Sequence, residues 1–351
     1  MNRIANKLEK NAEAIATIES TDNGKPFGMA MYDVKLATDT FKYYAGYTDK
    51  IHGQTIPMSG PFMSYTKKVP VGVCGQIIPW NFPLLMASFK LAPVLASGCT
   101  TVLKPAENTP LSALKLGELM IEAGLPEGTV NILPGFGTEA GQAIVNHEDI
   151  DKIAFTGSTA VGKGILRDSS HTLKRTSLEL GGKSPNIILS DADLDLAVGQ
   201  SHFACYLNSG QYCMAGTRVF VHEDIYDRFV ERAVEAAKAK VVGAPWDDKV
   251  ENGPLISEAQ MNKVLKYIKQ GKKEGAKLMC GGKRIKREGF FVETTVFADV
   301  TDDMTIAKEE IFGPVMSILK FKTLDEALER ANNSKYGLAS GVVTQSLESA
   351  I

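Results

Sequence analysis

Cysteine is scarce in this sequence: five residues in 351, at positions 74, 99, 205, 213 and 280, with no Cys-x-x-Cys pair among them. An odd, unpaired set argues against a disulfide framework. His202-x-x-Cys205 is the one His/Cys pairing at ligand-like spacing, and without a second pair it does not make a zinc site. Long apolar runs are also missing, and no signal-peptide pattern opens the chain. Nor does charge of one sign dominate: 39 basic and 41 acidic residues leave a net charge of −2. That balance offers no general attraction to nucleic acid or to an anionic membrane. The expectation is a soluble protein of a reducing compartment, cytoplasm or mitochondrial matrix, with no targeting signal readable in this chain.

What is present is a regular alternation of elements. Residues 2–19 carry Ile4, Leu8, Ala12, Ile15 and Ile18 between charges, a pattern that predicts one amphipathic helix. A turn cluster at 22–26 follows, then a helix over 30–46. Two extended segments, 52–57 and 62–66, flank Ser59-Gly60-Pro61; as a ribbon they suit either an oligomer contact or a plain surface hairpin. From residue 71 the pattern becomes strand–helix, with strands expected at 71–78, 100–103, 129–133, 152–155 and 172–180. Pro83 opens one crossover helix at the position proline tolerates best. Thr109-Pro110 is expected to cap another, and Ser158 a third. Such an alternation predicts an α/β fold with a parallel, helix-covered sheet, whose ligands bind beyond the carboxyl ends of the strands.

Two glycines, Gly181-Gly182, mark the expected boundary to a second α/β unit. There, helices are expected from Asp193 to about 204, over 224–240 and over 257–274, with strands at 217–221 and 316–321. Cys213 lies between the first of these helices and the 217–221 strand, in a turn of small residues between Gly210 and Gly216. A cysteine in such a turn can present its sulfur into a cleft or pack as an inert core residue, and the local sequence leaves both open. In the first half, Ser158 after Gly157 presents a helix N-terminus suited to a pyrophosphate. Lys104 and Glu107 stand where they could bracket ribose hydroxyls or form an ordinary solvated pair. A strict Gly-x-Gly-x-x-Gly is absent, since Gly135-x-Gly137-x-x-x-Gly141 is one residue too wide.

Six motifs in order change the weighing: Pro79-Trp80-Asn81-Phe82-Pro83, Lys104-Pro105-Ala106-Glu107, Phe155-Thr156-Gly157-Ser158-Thr159, Leu178-Glu179-Leu180-Gly181-Gly182-Lys183, Gly210-Gln211-Tyr212-Cys213 and Glu309-Glu310-Ile311-Phe312-Gly313-Pro314. Together they resemble the aldehyde dehydrogenase superfamily, closest to its NAD-linked members acting on aliphatic aldehydes or retinal. The resemblance implies a Rossmann-like NAD-binding domain (1–51 and 71–180), an oligomerisation hairpin (52–70) and an α/β catalytic domain (181–351). It implies Cys213 as nucleophile, Glu179 as general base and the Asn81 amide as an oxyanion donor. It carries Lys104 and Glu107 to the adenosine ribose, and Trp80, Gly157 and Ser158 to the pyrophosphate region. Glu310 is carried to the nicotinamide ribose, Phe312 to the nicotinamide, and Phe82 and Phe89 to the aldehyde tunnel. A carboxylate at 107 disfavours a 2′-phosphate, so NAD is expected over NADP.

The sequence also departs from the family pattern. Ser209 stands where many close relatives have Gln, and Tyr212 occupies a variable position. Members of the superfamily extend beyond both ends, so truncation at both ends is expected. The implied partners are a small-molecule aldehyde and a second copy of the chain, as a homotetramer or dimer. Two other readings stay open: a catalytically incomplete fragment acting as a binding or structural protein, and a relative that transfers the acyl group to coenzyme A.

Overall fold

The computed structural model covers residues 1–351 and divides into two compact units, 1–23 with 27–179, and 24–26 with 180–351. Both are built on parallel sheets with helices as crossovers, so the fold class is α/β.

In the first unit, α1 (Asn2–Lys10), α2 (Ala12–Asn23) and α3 (Phe27–Ala45) precede a two-stranded ribbon, β1 (Thr55–Ile56) against β2 (Ser64–Tyr65). The sheet strands β3 (Val73–Ile77), β4 (Thr100–Lys104), β5 (Val130–Ile132), β6 (Lys152–Thr156) and β7 (Arg175–Glu179) alternate with α4 (Pro83–Ala96), α5 (Leu111–Glu122), α6 (Gln142–Asn146) and α7 (Thr159–Ser169). Their spatial order is β5-β4-β3-β6-β7, all parallel. The order reverses between β3 and β6, and a sheet of this kind offers its ligand crevice at that switch point. Ile4, Leu8, Ile15, Phe41, Leu84, Leu91, Leu103 and Leu116 close one core between the early helices, α4, α5 and the sheet.

Two details differ from the sequence expectation. The single helix over 2–19 is broken at Asn11 (φ −110°, ψ 18°), whose amide donates to the Lys7 carbonyl at 2.8 Å and so satisfies an end carbonyl of α1. Thr109 does not cap α5: the first free N–H, on Leu111, donates to the Asp22 carboxylate at 2.9 Å. The Thr109 hydroxyl instead donates to the Trp80 carbonyl at 3.3 Å. A long-range acceptor replaces the local one, which neighbouring sequence does not encode.

The second unit contains β8 (Pro185–Ile188), α8 (Leu194–Tyr206), β9 (Arg218–His222), α9 (Tyr226–Ala239), α10 (Glu258–Lys273), β10 (Lys277–Cys280), β11 (Thr295–Ala298), α11 (Thr305–Lys308), β12 (Val315–Phe321), α12 (Leu324–Asn332), β13 (Gly341–Val343) and α13 (Leu347–Ala350). Strand order is β10-β11-β12-β9-β8-β13, parallel except for β10. Successive strand residues go to opposite faces, and both faces are buried. Val219 and Val221 join the core with α8 and α9, whereas Phe220 between them joins the core with α10 and α12. This explains near-continuous apolar runs where a one-sided sheet would alternate.

Arg218 ties the start of β9 to the end of α12. It donates to the carbonyls of Lys183 (2.9 Å), Arg330 (3.3 Å) and Ala331 (2.8 Å), satisfying C-terminal groups that the helix cannot. Beside it lies a cavity of about 630 Å³ lined in part by Lys183, Arg218, Leu324 and Tyr336. The Lys183 ammonium is buried without a hydrogen-bond acceptor, and burial holds its pKa down to about 7.

A lysine with a lower pKa folded than unfolded binds fewer protons in the native state between the two values. Stability therefore rises with pH from about 7 towards 10.5 as the unfolded chain's excess proton is lost. Urea unfolding at pH 7 and 9 is expected to show that rise in the wild type. Lys183→Met should flatten it and be the more stable variant at pH 7; equal slopes in the two proteins contradict the assignment.

Candidate active site

In the first unit, the sequence-predicted residues fall on loops at the carboxyl ends of β3, β4, β6 and β7. After β3 the chain runs through Trp80, Asn81 and Phe82 into α4. That turn is fixed from two sides: the Asn23 amide donates to the Trp80 carbonyl at 2.7 Å, and Thr109 donates to the same oxygen. Asn81 is buried, and Phe82 is half-buried at the cap of α4. Phe89 does not stay with Phe82; it lies two turns along α4 and is 46 % exposed.

After β4, Lys104 is 3 % exposed and its ammonium meets the carbonyls of Pro105 (2.7 Å) and Gly135 (2.8 Å) and the Glu107 carboxylate (3.5 Å). The structure thus brings the two ribose candidates together as one ion pair. After β6, the Gly157 N–H donates to the Glu179 carbonyl at 3.0 Å, joining that turn to the end of β7. A Cβ at 157 would crowd the Phe155 ring, which favours glycine in this turn. Ser158 caps α7 by accepting from the Val161 N–H at 3.4 Å. The helix start is an anion-attracting end on this edge of the sheet.

Glu179 is exposed at the last position of β7. Lys90, to which the sequence reading assigned no role, interacts with it electrostatically from α4. Burial pushes the half-buried Lys90 ammonium down to about 8, with the Glu179 carboxylate pulling it up and Lys152 pulling it further down. One signal was available, since Lys90 is the one charged residue in the otherwise apolar helix PLLMASFKLAPVLA.

In the second unit the site candidates gather before the strands rather than after them. Cys213 is partly exposed on the loop entering β9. Three consecutive residues ahead of it, Asn208 (φ 50°), Ser209 (φ 57°) and Gly210 (φ 72°), are left-handed, a strained run that surrounding contacts must hold. Ser209 Oγ donates to the Gly253 carbonyl at 2.9 Å, Gln211 Oε1 accepts from the Ile256 N–H at 3.0 Å, and the Tyr212 hydroxyl donates to the Ala204 carbonyl. Ser209 and Tyr212, the two departures from the family pattern, are thus both anchors of this loop.

Against the loop lie two further backbone segments. A Cβ at Gly210 would run into the Gly313 carbonyl, one at Gly182 into the Cys213 carbonyl, and one at Gly181 into the Glu310 carboxylate. The Gly182 N–H donates to Glu310 Oε1 at 3.1 Å, and burial raises the Glu310 pKa despite this bond. Phe312, at a left-handed φ of 60°, is steadied by Gln260, whose amide donates to its carbonyl at 2.7 Å. Cys213, Glu310 and Phe312 are therefore brought around Gly181-Gly182. His202 is accounted for separately: its Nε2 lies 3.0 Å from the Ala233 carbonyl, and burial takes its pKa to about 4.

The geometry can be set beside known proteins. The aldehyde dehydrogenase family profile matches residues 1–351. A mitochondrial aldehyde dehydrogenase of Mesocricetus auratus is 58 % identical over all of this chain and 70 % of its own length. Retinal dehydrogenase 2 of Homo sapiens is 57 % identical, with 68 % of it covered. Among solved structures, an aldehyde dehydrogenase from Bacillus cereus in complex with NAD+ superposes with a TM-score of 0.97 at 54 % identity, covering 99 % of this chain and 71 % of that one. With a family match that runs from the first residue to the last, this chain belongs to the aldehyde dehydrogenase family, and it is an enzyme of that family.

Proposed function

We propose that the chain oxidises an aliphatic aldehyde or retinal to its carboxylic acid with NAD, using Cys213 as the nucleophile. The observation that carries this reading is the Cys213 loop, held in a strained left-handed run by three side-chain anchors and by glycine-only contacts. Strain kept this way in a partly exposed turn marks function more often than packing.

The Cys213 thiolate adds to the aldehyde carbon, forming an S–C bond and moving the C=O π pair onto oxygen. The Asn81 amide and the Cys213 N–H stabilise that oxyanion by donating to it. Bound NAD supplies the acceptor for the hydride that leaves this adduct. An acyl thioester then remains on Cys213. Glu179 takes a proton from water as its oxygen attacks the thioester carbon, and the C–S bond breaks to return the thiolate. Phe82 and Phe89 are assigned to the aldehyde.

The cofactor assignment rests on fit. The start of α7 at Gly157-Ser158, with Trp80 on the adjacent loop, suits a pyrophosphate. The Lys104–Glu107 pair suits ribose hydroxyls, and Glu310 and Phe312 the nicotinamide end. The carboxylate of Glu107, a side chain 44 % exposed beside Lys104, repels a 2′-phosphate, which favours NAD over NADP. The domain roles follow: 1–51 with 71–180 for the cofactor, 181–351 for chemistry, and the ribbon at 52–70 for contact with a second copy. Phe62, Met63, Tyr65 and Val69 of that segment are each more than two-thirds exposed, an apolar surface that association would cover. Free thiols and the mitochondrial relatives suit the cytoplasm or mitochondrial matrix. The structure has no helix long and apolar enough to cross a membrane.

The primary test is NADH formation by the purified chain with NAD and a short aliphatic aldehyde. Turnover in the wild type and none in Cys213→Ser is expected; saturable NAD binding without turnover would favour a binding protein instead. Glu179→Gln should keep a single burst of NADH and lose ~10²–10⁴-fold in steady rate, and an unchanged steady rate removes Glu179 from the mechanism. Lys90 lies within electrostatic reach of Glu179 and, with burial holding its pKa down to about 8, loses its charge in the working pH range. The pH–rate profile should therefore show an inflection at about pH 8, which Lys90→Met should lack.

A further inference from the structure

Cys74 and Cys99 lie together at the amino end of the first unit's sheet. Cys74 is in β3, and Cys99 immediately precedes β4, where Thr100 is in register with Val73 and Thr101 with Cys74. The two side chains pack in one small core with Val94 and Val71. Both thiols are free. The loops carrying Asn81 and Lys104 leave the opposite ends of these same strands, so this pair is no part of the catalytic site.

The surroundings of Cys99 are unlike those of an inert core thiol. Its sulfur accepts from the Val71 N–H at 3.3 Å and the Ser97 hydroxyl at 3.4 Å. Donors converging on one sulfur stabilise the thiolate. Burial alone would raise its pKa, but the polar groups around the sulfur, the Ser97 hydroxyl and the Val71 N–H among them, outweigh it and leave the thiol below its ordinary value. Burial pushes Cys74 up to about 11 and raises Cys205 and Cys280 as well. Cys99 is 5 % exposed, but its neighbours Gly98 and Thr100 are exposed. Cys99 thus sits in a turn whose two flanking residues face solvent.

We propose that Cys74 and Cys99 are a reversible oxidation site, at which Cys99 reacts with a hydroperoxide and Cys74 then closes a disulfide. The Cys99 thiolate attacks the nearer peroxide oxygen. An S–O bond forms, the O–O bond breaks, and the departing hydroxide takes up a proton to become water (or leaves as the alcohol of an organic hydroperoxide). The Cys74 sulfur next attacks the Cys99 sulfenic sulfur. The S–S bond forms, the S–O bond breaks, and the Cys74 proton leaves with the hydroxyl as a second water. Two electrons pass from the sulfur pair to the peroxide. Closing from side-chain packing to a covalent S–S distance moves the Ser97-Gly98-Cys99 turn, where Gly98 already takes a left-handed φ of 75°.

The test treats the full chain with hydrogen peroxide, blocks remaining thiols with a maleimide under denaturing conditions, and maps peptides without reductant. The expected product is a peptide joining Cys74 to Cys99, lighter by two hydrogens and split by dithiothreitol. In Cys74→Ser, dimedone should label Cys99 as the trapped sulfenic acid; in Cys99→Ser, Cys74 should stay unlabelled. The proposal is overturned if both cysteines carry maleimide after Cys213 has been fully oxidised. It is equally overturned if Cys99 takes no dimedone in Cys74→Ser, or if Cys74 takes it in Cys99→Ser.

Discussion

Close approach of backbone to backbone is the constraint on which the second unit's site depends. Gly181, Gly182 and Gly210 each occupy a position where a single extra carbon would strike Glu310, the Cys213 carbonyl or Gly313. Removing the side chains lets three separate segments meet within hydrogen-bond range, and the bond from Gly182 to Glu310 is one result. Close packing of main chain also explains how a run of left-handed residues persists. The cost of Asn208 and Ser209 in that region is offset by anchors reaching Gly253 and Ile256 on a distant loop.

The two units present their residues from opposite ends of similar sheets. In the first, Asn81, Lys104, Ser158 and Glu179 all come at or after the carboxyl ends of strands, as parallel sheets with a switch point favour. In the second, Gly181-Gly182, Cys213 and Glu310–Gly313 come before β8, β9 and β12. Arg218, the first residue of β9, links these entry points by binding the carbonyl of Lys183 and the end of α12. The first unit presents its candidates from helix starts and strand ends, whereas the second holds the Cys213 turn at its strand entries.

Much of this was legible in the residues, for identifiable reasons. The first unit's strands were found because short apolar or β-branched stretches alternate there with helix starts and turn residues, and α4, α7 and α8 because Pro83, Ser158 and Asp193 sit at their starts. Cys213 stood out through its glycine-flanked turn and the ordered motifs around it. What escaped was non-local. Asp22 caps α5 from 89 residues away, and no pattern near Thr109 could reveal it. Lys90 acquires its character from burial beside Glu179 and Lys152, which are far along the chain. Strands β10, β11 and β13 are short, three or four residues each, and carry too little periodicity to be read alone. The Cys74–Cys99 contact likewise follows from strand register, not from spacing.

The placement of Cys213, Gly181-Gly182 and Glu310 ahead of their strands also bears on how the length of such a chain can change. A residue inserted between the Cys213 loop and β9 must either lengthen the loop or slide the strand, and a one-residue slide exchanges the two buried faces of that strand. Segments leaving the far ends of β8, β9 and β12 are under no such restriction, because nothing in the site hangs from them. Drift in loop length should therefore collect on the side of the second sheet away from Cys213. In the first sheet it should collect at the strand entries, on the edge where Cys99 lies.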